Sequence, residues 1–184
     1  MILFFVLCSN SKAQDTTFLW KDITQNKLHN YPITELSSDK SRDVIRYSKV
    51  INPVIIEYKT KSDTVQNVSI IICPGGGYSH LSANIEGYEV AEWLNSIGID
   101  AYVLLYRVPN KRDSALMDIQ QAIKIVKSKT SNKVGLIGFS AGGNLSARAA
   151  TTFTITDKDS SLKNSIYKPD FAALIYPAYL DLGI

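Results

Sequence analysis

Apolar and polar positions along the chain alternate between two rhythms from about residue 50 onward. "VINPVIIEYKTK", Val50 to Lys61, is β-branched and aromatic-rich and predicts a strand, and "SDTVQN" turns the chain into Val68 to Ile72, apolar at nearly every position. Continuous runs of that kind belong to strands buried on both faces. The rhythm then becomes helical. In "NIEGYEVAEWLNSIG", Val90, Ala91, Leu94 and Ile97 fall at i, i+1, i+4 and i+7, and Gly98 supplies a left-handed stop. "IDAYVLLYRV", Ile99 to Val108, is a second buried strand; Leu116, Ile119, Ile123 and Val126 then share one face of a second helix, and "KVGLIGFS" is a third buried strand. "AGGNLSARAATTF" leaves it as a helix, alanine-rich enough to lie close to a sheet. A polar loop, "TITDKDSSLKNSIYKPD", leads to a last buried strand, "FAALIYPAYL", Phe171 to Leu180. Four apolar strands with helices between three of them predict an α/β fold around a mostly parallel sheet, one domain over residues 47–184.

Residues 14–46 are polar and turn-rich with neither period, and read as a leader lying over that domain. No repeat, low-complexity tract or linker divides the chain. With 184 residues, 45% hydrophobic and 20% charged, it has the composition of an ordinary single globular domain. The net charge of +3 is small, and the lysines between Lys124 and Lys133 are spaced like the wet side of a helix and the loop after it. Without an arginine cluster or interleaved aromatics they do not describe a nucleic-acid surface. The first thirteen residues, "MILFFVLCSNSKA", pass from apolar to small and polar, with Ser11 and Ala13 at −3 and −1 before Gln14. That is the pattern of a cleaved export signal, although no lysine or arginine precedes the apolar run and the run is short, and it predicts a secreted or periplasmic protein. Cys8 also invites lipidation, but Leu7 stands where a small residue is expected, so simple cleavage ranks first. No segment is long enough to span a membrane. Once the signal is removed Cys73 has no partner for an intramolecular disulfide.

Two glycine-rich stretches carry candidate chemistry. "GFSAGG", Gly138 to Gly143, fits the G-x-S-x-G pattern and sits where a strand becomes a helix. In that context the turn is tight, the serine is strained with its hydroxyl raised above the sheet, and the flanking positions must be small. The helix starting at Ala141 aims its amides and positive dipole end at any anion formed beside Ser140. The plainer alternative is a glycine-rich turn with an incidental serine. "CPGGGYSH", Cys73 to His80, leaves backbone amides uncovered at the end of the first buried parallel strand, as acyl transfer requires for a developing oxyanion. A phosphate-binding loop would need a Lys-Ser/Thr pair or G-x-G-x-x-G spacing, and neither is present.

Taken in order, "PGGGY" after a strand, "EGYEVAEWLNSIGIDAYVLLYRV", and "GFSAGG" after another strand resemble the α/β-hydrolase superfamily, most of all its esterases of the acetyl-xylan esterase and carbohydrate-ester type. The resemblance runs from about Val50 onward. It implies a carboxylic-ester hydrolase in which Ser140 attacks the acyl carbon and the amides of Gly76, Gly77 and Ala141 form the oxyanion hole, with Tyr78 and His80 as candidates for the pocket wall. It implies no metal or organic cofactor, and acetylated plant polysaccharide or oligosaccharide as substrate class. Pro74 stands where lipase-like relatives have a structural histidine. A serine peptidase of the same fold is the nearest enzymatic competitor.

The resemblance also exposes a gap. Chain order in this fold is serine, acid, histidine, the last on a loop after the final strand, whereas the two histidines, His29 and His80, both precede Ser140. Asp181 is a candidate late acid. The expectation is therefore that the fold is incomplete at the C-terminus, with acid and histidine beyond Ile184. The alternative is a catalytically dead, ligand-binding member of natural length.

Overall fold

The computed structural model describes residues 15–20, 32–36, 43–62, 65–152 and 164–180. The expectations placed on the export signal, Cys8, His29 and Asp181 lie outside them. Strands β5 (Val68–Cys73), β7 (Asp100–Leu105), β8 (Lys133–Phe139) and β9 (Phe171–Ile175) run parallel in the spatial order β7-β5-β8-β9. Ile70 lies opposite Ala101 on one side and Gly135 on the other, and Ile72 opposite Val103 and Ile137. Every residue of β7 is buried, which is what its uninterrupted apolar run requires. Strand β4 (Val54–Tyr58) joins β7 antiparallel. Three helices cover the sheet: α1 (Glu89–Ser96) packs on β7 and β4, α2 (Arg112–Lys129) on β8, β5 and the third helix, and α3 (Ala141–Thr151) on β8 and β9.

Several boundaries depart from the periodic reading, among them those of β4 and β7, which span Val54–Tyr58 and Asp100–Leu105 rather than Val50–Lys61 and Ile99–Val108. Helix α1 stops at Ser96, so Ile97 falls outside it and is 45% exposed rather than part of the buried stripe. Before α1, Asn84 to Tyr88 form a π-helical turn in which the Tyr88 amide donates to the Ala83 carbonyl. Strand β9 ends at Ile175, not Leu180, because Tyr176 and Tyr179 take positive φ (36° and 61°) that a strand cannot hold. Nor is β9 buried. Phe171, Leu174 and Ile175 are exposed, and among the described residues no strand pairs with its outer side.

The leader proves structured where described. Strand β1 (Thr16–Phe18) pairs antiparallel with β4 at the far edge of the main sheet. Strands β2 (Pro32–Leu36) and β3 (Asp43–Tyr47) pair with each other, and β6 (Leu81–Ser82) adds to β3. The side chain of Asn84 fastens that small sheet, accepting the Ile45 amide at 2.8 Å and donating to the Asp43 carbonyl at 2.9 Å.

A second anchor joins the leader to the core. The fully buried carboxylate of Asp118 on α2 accepts the indole N–H of Trp20 at 2.8 Å and the Arg107 backbone amide at 3.0 Å, and pairs with the Arg107 guanidinium at 2.7 Å. Removing one partner of a buried pair strands the other without its solvation. Asp118→Ala is therefore expected to destabilise the protein by about 3–5 kcal/mol, read as a fall in the urea midpoint. An unchanged midpoint would contradict the assignment of this carboxylate as a structural anchor.

Candidate active site

Strand β8 passes into α3 through a single residue, Ser140, at φ 49° and ψ −115°. A non-glycine residue held there costs about 1–3 kcal/mol and persists only where its surroundings fix it. They do so through the backbone: the Ser140 amide donates to the Ile175 carbonyl at 3.0 Å, and its carbonyl accepts the amides of Asn144 at 3.1 Å and Ala178 at 3.0 Å. The side chain makes no capping bond to α3. The flanking glycines are required by close approach. A Cβ on Gly142 would overlap the Cys73 carbonyl and stand 2.7 Å from that of Pro74, and a Cβ on Gly138 would overlap the Gly142 carbonyl. The start of α3 can therefore lie against the end of β5 only while both positions lack side chains.

Beyond β5 the chain turns through Pro74 to Gly77 and presses against this elbow. A Cβ on Gly75 would sit 2.7 Å from the Phe139 carbonyl and 3.0 Å from Cβ of Ser140. Gly76 and Gly77 take φ of 132° and 63°, conformations open to glycine and strained for other residues. The Gly76 carbonyl points into the turn and accepts the Ser79 amide (3.0 Å), the His80 amide (3.2 Å) and the Ser79 hydroxyl (2.9 Å). The Gly75 amide donates to Oε2 of Glu86 at 2.7 Å, while the amides of Gly76 and Gly77 donate to nothing among the described residues. Ala141 opens α3, where first-turn amides have no intrahelical acceptor.

Tyr78 is buried. Its hydroxyl donates to Oδ1 of Asn144 on α3 at 2.8 Å, and its ring meets those of Tyr106 and Tyr179 at centroid distances of 6.1 and 6.2 Å. Burial pushes its phenol up to about 12, against the pull of Arg148 and Arg112. Arg112 lies over Tyr179 and Tyr78, 4.4 and 5.0 Å from the ring centroids. His80 is half-buried, and its Nδ1 shares a hydrogen bond with the Ser79 hydroxyl at 2.9 Å. Burial, and then the nearby Arg46, hold its pKa below the ordinary histidine value, with Glu86 opposing them. Among the described residues no hydrogen bond joins His80 to Ser140. The buried Cys73 thiol, raised to about 12 by desolvation, is not poised to react.

Four of the five non-glycine residues with positive φ, namely Tyr78, Ser140, Tyr176 and Tyr179, gather around this point. The fifth, Asn110, donates its amide to the Tyr78 carbonyl. Backbone strain concentrates where a site is being held in shape, and here it lies beyond the C-terminal ends of parallel strands, where open α/β sheets bind ligands. Periodicity and motifs do not mark Asn144, Arg112, Tyr176 or Tyr179 as part of this cluster, nor Glu86, which fastens the glycine loop. Glu86 lies within a stretch that reads as an ordinary amphipathic helix, and the only hint was that a glycine loop needs something to fasten it.

No family model matches the chain. An acetylxylan esterase of Xylanibacter ruminicola is 37% identical over 116 residues, covering 59% of this chain and 22% of that protein. The crystal structure of an acetyl ester-xyloside bifunctional hydrolase from Caldicellulosiruptor lactoaceticus superposes with a TM-score of 0.63 at 31% identity, covering 89% of this chain and 57% of the other. A thermophilic esterase of the planctomycete Thermogutta terrifontis superposes with a TM-score of 0.62 at 17% identity, over 90% and 54% of the two chains, which shows a shared fold alone. The chain thus spans little more than half of these solved structures and 22% of the curated relative.

Proposed function

The chain is an α/β-hydrolase by fold and similar to known esterases, and from that premise we propose that the whole protein is a serine carboxylic-ester hydrolase that deacetylates carbohydrate or other short-chain esters. The observation that carries the reading is the strained Ser140 between β8 and α3, with the Gly75–Gly77 loop pressed against it. In this reading the Ser140 hydroxyl attacks the acyl carbon while a histidine takes its proton. The amides of Gly76, Gly77 and Ala141 hold the oxygen that becomes negative. The alcohol leaves with the proton from the imidazolium, and water activated by the same histidine then releases the acid and regenerates Ser140.

His80 is a poor base for this step, since among the described residues no hydrogen bond links it to the serine and it lies on the glycine loop, before Ser140 in the chain. The reading places the histidine, and the carboxylate that orients it, outside the described residues. His29 precedes Ser140 as His80 does, against the serine, acid, histidine order of the fold, so in this reading the 184 residues alone are expected to release no product, because a serine hydroxyl at neutral pH is a weak nucleophile without a base. Tyr78 and His80 sit on the same loop as the proposed oxyanion donors, which supports them as neighbours of the bound ester. Export rests on the pattern of "MILFFVLCSNSKA"; among the described residues no helix is long and apolar enough to cross a membrane.

The test is to assay the complete protein on aryl acetate, aryl butyrate, acetylated xylan and a peptide anilide. Aryl acetate hydrolysis above that of butyrate, with acetic acid released from the polysaccharide, is expected. Cleavage of the anilide in preference to the esters would favour the peptidase instead.

A further inference from the structure

Glu86 occupies the π-helical turn Asn84–Tyr88 between the glycine loop and α1. Its two carboxylate oxygens are used in different directions. Oε2 accepts the Gly75 amide at 2.7 Å, and Oε1 accepts the Tyr176 hydroxyl at 2.7 Å. A Cβ placed on Gly75 would lie 2.8 Å from Oε2 of Glu86 and 3.0 Å from Cβ of Ser140, so the carboxylate and the serine flank the same glycine. The next residue, Gly87, lets the turn settle onto the sheet: a Cβ there would stand 2.9 Å from Cγ1 of Val103 and 3.3 Å from Cγ of Pro74. Tyr176, 62% exposed, directly follows Ile175, whose carbonyl holds the Ser140 amide. One side chain therefore ties the loop beside the nucleophile to the loop that holds the nucleophile's backbone.

We propose that Glu86 is a positioning residue: by accepting the Gly75 amide and the Tyr176 hydroxyl together, it fixes the Gly75–Gly77 loop and the loop after β9 in register about Ser140. Its effect on rate rests on the esterase reading; its effect on the loop does not. The same contact selects which amides of the glycine run are left over. Gly75 is spent on Glu86, and the amides of Gly76 and Gly77 remain uncommitted. A carboxylate beside a forming oxyanion opposes it by charge, and the two donors hold its oxygens on the Gly75 amide and the Tyr176 hydroxyl.

Glutamine can keep both contacts, its carbonyl accepting the Gly75 amide and its amide nitrogen donating to the Tyr176 oxygen, whereas alanine keeps neither. In the complete protein Glu86→Ala is expected to lower kcat about 10- to 100-fold with KM changed less than about threefold, and Glu86→Gln to stay within about fivefold of wild type. Tyr176→Phe is expected to lower kcat about two- to fivefold and to add nothing to Glu86→Ala. Hydrogen exchange of residues 73–80 gives a readout independent of hydrolysis. The Gly75 amide is expected to exchange at least about tenfold faster in Glu86→Ala and to recover protection in Glu86→Gln. If Glu86→Ala does not fold, Tyr176→Phe carries the test, since exchange in the loop must still rise there. An unchanged kcat in Glu86→Ala with only a lowered melting temperature, or a Gly75 amide that stays protected, overturns the proposal. A wild-type protein that hydrolyses no ester sinks the esterase reading, and the exchange result then decides the role of Glu86 by itself.

Discussion

Replacing Ser140 by alanine is expected to lower ester hydrolysis by the complete protein by about four orders of magnitude or more, while shifting its stability by less than about 1 kcal/mol. The asymmetry follows from where the residue's contacts lie. What fixes Ser140 in place is its backbone, bonded to Ile175, Asn144 and Ala178, and alanine keeps all three bonds. It also keeps the strain, because φ of 49° is equally unfavourable for either side chain. Only the hydroxyl is lost, and with it the covalent step. Initial rates on an aryl acetate alongside a urea unfolding curve measure the two halves of the expectation. Wild-type turnover by the alanine protein would remove Ser140 from the chemistry altogether.

The two glycines proposed as oxyanion donors are expected to respond very differently to the same substitution. Gly76→Ala should depress kcat by about 10² to 10³ with little change in KM, because the donors act on charge present only in the transition state. A Cβ on Gly76 would overlap the His80 carbonyl and approach Cδ2 of that ring to 3.0 Å, at a φ of 132° that alanine rarely adopts. The loop cannot yield locally, since the Gly76 carbonyl is held by the amides of both Ser79 and His80. At Gly77 the space is open, the nearest atom being the Tyr179 hydroxyl at 3.5 Å, and only the left-handed φ of 63° resists. That conformation costs alanine about 1 kcal/mol, so Gly77→Ala is expected to lose no more than about tenfold. Steady-state kinetics of both variants decide the matter: equal losses, or a raised KM at unchanged kcat, would make the loop a binding element only.

The parallel sheet was legible because β5 and β7 are buried on both faces and β8 over most of its length, so that they read as apolar runs, and Ser140 because its glycines are forced by the contact between α3 and the end of β5. The leader's strands were not. Strand β1 has three residues, and β3 lies in a separate small sheet with Ile45 and Tyr47 packed against the core but no clean alternation of buried and exposed positions, so neither carries the pattern that reveals a half-buried strand. The end of β9 was misplaced for a different reason. "FAALIYPAYL" is apolar to Leu180, but its last five residues turn back over α3, where Pro177 packs at 3.0 Å from the Cβ position of Gly143 and Asn144 reaches the Tyr179 carbonyl at 3.4 Å. Composition does not encode that reversal; the positive φ of two tyrosines does, and it has no residue signature of the kind glycine provides. Glu86 was hidden likewise, its partners lying 11 and 90 residues away along the chain.

The central claim, that Ser140 is an activated nucleophile facing uncommitted amides, is tested most directly by trapping. An aryl phosphonate ester offers a serine hydrolase a tetrahedral phosphorus that its nucleophile attacks, with loss of the aryl alcohol. Incubating the complete protein with such a reagent and mapping the adduct by peptide mass spectrometry should give one phosphonyl group per chain, on the peptide carrying Ser140, with hydrolysis lost in proportion to labelling. An ester-hydrolysing protein labelled on another residue, or left unlabelled at Ser140 while activity disappears, would contradict the account.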